Sequence, residues 1–342
     1  MKHMIILNNV SKQFEDIKAA NNISMHIHKG EKVGIVGANG AGKTTLLRMI
    51  CGLLKQDSGE IRVLGHNPLA HNKSVGMKIG AVYGIGGILA GKGKLSFGFD
   101  AIQAFANSGN LQPDITVGDN FRLIKAVYKV PKEAFKTRMD ELDEALGIRN
   151  YLNSYVYELS LGQKMRAELA CVLIYEPELL ILDEPFIGID IETKENLRNY
   201  LEMLSKRNQT TILLTTHNVE EIEKICSRVA VIDRGSIIYN GSFDKINHSY
   251  GKIHAIEIEF GDTIPDLQDL PFLRYVIQDS KMKIFYDNSM IDAKEILQFL
   301  SSKYEMKDLL IHKPTIEEII KHIYDDNADK VAQNGVINDK CS

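Results

Sequence analysis

The stretch Lys32-Val33-Gly34-Ile35-Val36-Gly37-Ala38-Asn39-Gly40-Ala41-Gly42-Lys43-Thr44-Thr45 runs from a continuous apolar segment into a glycine-rich turn. A helical pattern follows, with Leu46, Met49, Ile50 and Leu53 on one face and Gly52 near its end. This is the order strand, loop, helix, and the loop carries the spacing GxxxxGK[ST]. Glycines let successive backbone N–H groups face an anion. The helix N-terminus adds partial positive charge. Lys43 is placed to reach the β- and γ-phosphates of a nucleotide, and Thr44 to offer its hydroxyl to Mg²⁺. Gly37, Ala38, Asn39, Gly40, Ala41, Gly42, Lys43, Thr44 and Thr45 are therefore the candidate nucleotide-binding residues. A plain glycine-rich turn with an exposed lysine is the structural alternative, and the flanking strand and helix argue against it.

Working outward, Leu179-Leu180-Ile181-Leu182-Asp183-Glu184-Pro185 is an apolar strand ending in two carboxylates, where a parallel sheet places ligands. Asp183 is a candidate to hold Mg²⁺ through water, and Glu184 to polarise an attacking water. Further buried strands are expected at Leu179–Leu182, Thr211–Leu214 and Val229–Ile232. Helices are expected around Phe135, Met139, Leu142, Leu146 and around Leu197, Tyr200, Leu201, Leu204. Strands alternating with helices imply a mostly parallel α/β core. Met4 to Leu7 and the alternating Asn22 to Lys29 suggest an antiparallel sheet with one wet face. Near Tyr250 the texture changes. Ile256, Ile258 and Phe260 alternate with Glu257 and Glu259, Met282, Ile284 and Tyr286 repeat the pattern, and helical patterns follow near 292–304 and 315–324. This predicts a small α+β domain over 250–325, then a polar tail at 326–342 expected to lack structure.

The chain has 342 residues, 25% of them charged and 44% hydrophobic, and a net charge of −4. That balance argues against coating nucleic acid. No apolar run approaches the roughly 20 residues needed to span a bilayer. Nor does the N-terminus show a signal-peptide pattern. Cys51, Cys171, Cys226 and Cys341 are scattered, with no CxxC spacing, as expected for reduced thiols rather than a disulfide frame or zinc site.

Leu159-Ser160-Leu161-Gly162-Gln163 precedes a helix with Met165, Leu169, Val172 and Leu173 on one face. Together with the phosphate cradle and Leu182-Asp183-Glu184-Pro185, it resembles the ATP-binding cassette (ABC) ATPases, whose signature is LSGGQ. The resemblance covers about residues 4 to 245. It implies a P-loop fold in domain 1–245, with a parallel core sheet, an antiparallel β subdomain and a helical subdomain near 110–175. It also implies that two copies, or this chain and a paralogous ATPase, pair head to tail around two ATP–Mg²⁺. Ser160, Gly162 and Gln163 would then meet ATP held by the other cassette. By the same resemblance, Phe14 stacks on adenine; its other reading is a strand-end core residue. Gly188-Ile189-Asp190 resembles the loop that crosses the dimer interface, and His217, after Thr215-Thr216, the switch histidine at the γ-phosphate. The run from Leu159 to Ala170, Ile187–Asp190, Leu213–Glu221 and Val231–Gly235 are similar to the drug-exporter branch, whose membrane halves are separate polypeptides. Thr315–Ile320 resembles the end of that branch's accessory domain.

One family residue is displaced. A glutamine that senses Mg²⁺ and water should end the strand near Ile79–Gly84, but Ile85 stands there. Counting back from Thr116-Val117 puts Asn107 at the same place instead. The two counts differ by about 22 residues, so a glycine-rich insertion over about 85–106 is expected. It reads as a surface loop, or as a lid beside the membrane partner.

The expectation is a peripheral ATPase on the cytoplasmic face of the plasma membrane, driving export through separate transmembrane permease subunits. Glu184, His217 and Lys43 would be its catalytic residues and Asp183, Thr44 and Asn107 its metal-side residues. Nucleic acid is not an expected partner. The rivals are an uptake system, a soluble cassette ATPase acting on ribosomes or DNA, and a low-turnover regulatory module. The single cradle, single signature and lack of a long heptad run weigh against the soluble ATPase, and the intact Glu184 against the module.

Overall fold

The computed structural model describes residues 2–70, 73–83, 110–250, 253–260, 274–278, 281–313, 315–321 and 323–324. Both candidate replacements for the displaced glutamine, Ile85 and Asn107, lie outside these residues, as do the expected insertion and tail. The chain divides into two compact units, Met1–Asn240 and Gly241–Ser342. The division, after Asn240, falls ahead of both the expected domain end at 245 and the change of texture near Tyr250, which becomes visible in sequence only where alternating strands begin.

In the first unit, β1 (His3–Phe14), β2 (Ile17–His28) and β4 (Ser58–Val63) form an antiparallel sheet in the order β2-β1-β4. Its alternation is the expected one: Ile23, Met25 and Ile27 are buried and their neighbours face water. The second sheet has the order β5-β6-β7-β3-β8-β9, built from β5 (Ile79–Val82), β6 (Leu179–Asp183), β7 (Thr211–Thr216), β3 (Lys32–Val36), β8 (Arg228–Asp233) and β9 (Ser236–Ser242). The pairs β5·β6, β6·β7, β7·β3 and β3·β8 are parallel. Every residue of β6 and β7 is buried, so these strands read as unbroken apolar runs instead of alternating ones. Strand β3 lies between β7 and β8, and the chain turns from its end into helix α1 (Lys43–Ile50). Leu46, Leu47, Met49 and Ile50 anchor α1 in the core shared with both sheets, each such side chain contributing roughly 1.5–3 kcal/mol on burial.

After the short α2 (Lys73–Gly76), helices α3 (Val117–Val127), α4 (Lys132–Leu146) and α5 (Leu161–Leu173) make up the helical part. Thr116 caps α3 by accepting from the Asp119 N–H at 3.1 Å. Helices α6 (Ile191–Asn208) and α7 (Val219–Ile225) flank the parallel sheet. Among the described residues no helix is long and apolar enough to cross a membrane, and Cys51, Cys171 and Cys226 are free.

The second unit opens with α8 (Phe243–Tyr250). Strands β10 (Ile253–Phe260), β11 (Arg274–Gln278), β12 (Lys281–Asp287) and β13 (Met306–His312) pair antiparallel in the order β11-β12-β10-β13. One face packs Ile256, Ile258, Phe260, Met282, Ile284 and Tyr286 against Ile296 and Leu300 of α9 (Ala293–Lys303). On the other face Lys283 ion-pairs with Glu257 and with Glu318, which ties down the helical residues 316–321. Those residues begin with a reciprocal cap between Thr315 and Glu318.

Three histidines meet on the first sheet. The His3 ring lies 4.5 Å from that of His28 and 5.2 Å from that of His26, centroid to centroid. Burial, then the nearby His28 and His26 charges, holds the His3 pKa below its ordinary 6.5. The unfolded chain therefore takes up a proton that the fold resists. The contribution to stability is present above the unfolded pKa and is lost as pH falls below it. Melting temperatures measured from about pH 8 to about pH 5 should fall less steeply for His3→Phe than for the natural chain. Parallel curves would remove His3 from the acid response.

Candidate functional site

The C-terminal ends of β3, β6 and β7 deliver one group of side chains. After β3 the loop 37–42 wraps to the start of α1. A side chain at Gly42 would meet the Ala19 carbonyl oxygen at 2.0 Å, and Gly42 has φ +105°, so glycine is required twice over. A side chain at Gly37 would meet the Ile232 oxygen at 2.7 Å. The first turn of α1 holds no acidic residue and Gly42 offers no side-chain cap, so its N–H groups stay open to an anion.

Lys43 is buried at 7% exposure. Its ammonium donates to the carbonyl oxygens of Gly37 at 2.7 Å and Ala38 at 3.1 Å. Burial pushes its pKa below the ordinary lysine value, with Glu184 and Asp183 pulling the other way. A buried cation bonded to neutral carbonyls beside an uncapped helix start fits a phosphate chain. The Thr44 hydroxyl donates to Asp183 Oδ2 at 2.8 Å, and the Thr215 hydroxyl donates to Asp183 Oδ1. Asp183 is thus fixed at the end of β6 with one oxygen against Thr44, a hydroxyl–carboxylate pair of the hard-oxygen kind that Mg²⁺ takes.

Glu184 sits in the left-handed region at φ 51°. That conformation costs a non-glycine residue about 1–2 kcal/mol, and the Glu184 N–H bond to the Thr215 oxygen, at 2.9 Å, helps hold it. The bend turns its carboxylate out of the strand direction toward His217, whose Nδ1 lies 3.0 Å from both Glu184 oxygens. Hydrogen bonds among the described residues therefore join Lys43 to its own loop, Thr44, Asp183 and Thr215 to one another, and Glu184 to His217.

Chain similarity now adds to this geometry. Residues 20–187 match the family model described as ABC transporter. An "ABC transporter ATP-binding protein NatA" of Bacillus subtilis is 32% identical over 72% of this chain and 92% of its own length. The chain belongs to the ABC transporter family. Within this ABC family, the Nod factor export ATP-binding protein I of Ralstonia nicotianae is 30% identical, over 76% of this chain and 73% of that protein. The methionine import ATP-binding protein MetN 1 of Listeria monocytogenes is 32% identical, over 89% and 85%. A solved dimeric cassette in a post-hydrolysis state, bound to ADP and Pi, has a TM-score of 0.56 at 25% identity, covering 70% of this chain and 98% of that one. The chain is an ABC ATPase by fold and family.

The stretch Leu159–Gln163 at the start of α5 forms a second group. Ser160 and Gln163 cap α5 reciprocally: the Gln163 N–H donates to Ser160 Oγ at 3.3 Å, and the Ser160 N–H to Gln163 Oε1 at 2.9 Å. A side chain at Gly162 would meet the Gly188 carbonyl oxygen at 2.2 Å. The start of α5 and the loop ahead of α6 thus touch backbone to backbone. Asp190 caps α6 by accepting from the Thr193 N–H at 2.9 Å, and the Thr193 donors hold its carboxyl below the usual range. Phe14 is 45% exposed, so it is not a core residue; Lys12 Nζ lies 5.3 Å from its ring centre.

Sequence reasoning missed two members of these surroundings. Thr215 is the second hydroxyl on Asp183, and the Thr-Thr-His run at a strand end was its signal. Glu168, almost wholly buried in α5, is the other, and its signal was a carboxylate on the apolar face three residues after Met165.

Proposed function

We propose that this chain is the ATP-hydrolysing subunit of a membrane exporter. Two copies, or this chain and a paralogous ATPase, close head to tail on two ATP molecules and drive separate transmembrane permease subunits at the cytoplasmic face of the membrane. The observation that carries the catalytic part is the convergence of Lys43, Thr44, Asp183, Glu184 and His217 at three strand ends of one sheet. Lys43 and the N–H groups of 37–45 bind the phosphates. Thr44 and Asp183 hold Mg²⁺, which when bound offsets phosphate charge. Glu184 accepts a proton from the attacking water as the water oxygen bonds to the γ-phosphorus and the bond to ADP breaks. His217 orients the Glu184 carboxylate and reaches the γ-phosphate. Ser160, Gly162 and Gln163 complete the partner's site, with Asp190 at the crossing loop. Exposed Phe14 offers a face for adenine.

The signature-helix sequence, resembling the exporter branch, supports export, as does likeness to a Nod factor export protein. Likeness to a methionine import protein supports uptake as the second reading. Purification of the tagged chain from mild-detergent membranes tests the assignment. A stoichiometric polytopic partner that raises ATP turnover is expected. Recovery with ribosomes or DNA alone would overturn it, and dependence on an external binding protein would shift it to uptake.

A further inference from the structure

Glu168 lies in the middle of the signature helix α5 and is 1% exposed. A carboxylate in that position is costly unless it is used. Its Oε2 accepts from the Asn110 N–H at 2.6 Å, a short charge-assisted bond. Its Oε1 is buried without a hydrogen-bond partner among the described residues. Burial pushes the Glu168 pKa up to about 7, with the Asn110 donor and the Lys164 charge opposing. Asn110 is itself doubly engaged, because its side-chain amide donates to the Ala81 oxygen at 3.0 Å. Ala81 belongs to β5 and pairs with Ile181 of β6, two residues before Asp183. A continuous path of short polar contacts therefore runs from the signature helix through Glu168 and Asn110 to the strand beside the catalytic carboxylates. Asn110 thus joins β5 to the helix that carries Glu168.

We propose that Glu168 is a positioning residue for ATP hydrolysis, whose buried carboxylate locks Asn110 to the signature helix and so sets Ser160–Gly162 relative to the β5–β6 strand ends. The proposal rests on the ABC ATPase assignment. It concerns the signature and not the cradle, so it separates turnover from nucleotide capture. An apolar side chain at 168 would fill the space and remove the acceptor. A glutamine would keep the acceptor without the charge. A merely structural carboxylate would behave differently: its apolar replacement would lower the melting temperature by orphaning the Asn110 N–H and leave turnover alone.

The test compares the full chain with Glu168→Gln and Glu168→Met, measuring steady-state kcat and KM for ATP, equilibrium ATP binding and melting temperature. Expected is a fall in kcat of about tenfold or more for Glu168→Met, with ATP affinity held and only the modest fall in melting temperature that one orphaned N–H brings. Glu168→Gln should recover most of that loss. Natural kcat in Glu168→Met would overturn the proposal. So would a kcat loss that tracks a fall in melting temperature and is equal in the two variants. If the natural chain itself turns over no ATP under conditions where it binds it, the ATPase assignment fails, and that outcome is distinct from either.

Discussion

Replacing Glu184 with glutamine should cut ATP turnover by roughly 10²–10⁴-fold, the range for losing a positioned general base, while ATP still binds. The substitution is nearly isosteric, and the left-handed backbone at 184, with its N–H bonded to Thr215, does not depend on carboxylate charge. The amide still has an oxygen to accept from His217 Nδ1. What it loses is the ability to take a proton from water. ATP-bound dimers should therefore accumulate, which size-exclusion chromatography with and without ATP would show. Turnover within threefold of the natural chain would remove Glu184 from the role of base and leave the proton to another group.

Replacing Lys43 with methionine should lower kcat/KM for ATP by about 10²–10³-fold, the effect of deleting one preorganised charge donor. Here the loss should include binding itself. The ammonium is buried and its donors already point into the loop at Gly37 and Ala38. Methionine keeps the aliphatic stem and deletes the buried charge, so the melting temperature should hold or rise. That combination, a stable fold that no longer captures ATP, distinguishes loss of function from loss of structure. Nucleotide affinity unchanged by titration calorimetry would mean that the phosphate site lies elsewhere.

The strand–loop–helix around residues 32–50, the strand ending in Asp183-Glu184 and the helix start after Leu159 were legible because each joins a strict spacing to a strand or helix boundary. The buried strands β3, β6, β7 and β8 were legible because both faces of the central sheet are covered, which leaves apolar runs with nothing polar to interrupt them. Strand β13 was not. As an edge strand it shows three consecutive exposed apolar residues, Leu309, Leu310 and Ile311, and no alternation to read. Strand β4, with Ser58, Gly59 and Glu60 at its start, has little strand propensity and is fixed by pairing with β1. Nor did spacing reveal the hydrogen bond from Asn110 to Glu168, because it depends on two segments 58 residues apart meeting in space.

The contact between Gly162 and Gly188 has a mechanical meaning. Gly188 comes four residues after Glu184, and Gly162 opens the signature helix. A carbon on Gly162 finds no room against the Gly188 carbonyl oxygen, whereas a carbon on Gly188 would meet Gly162 at ordinary contact distance, so the tightness lies on the helix side. Any bulk added at position 162 would therefore have to be taken up by displacing the loop that follows Glu184.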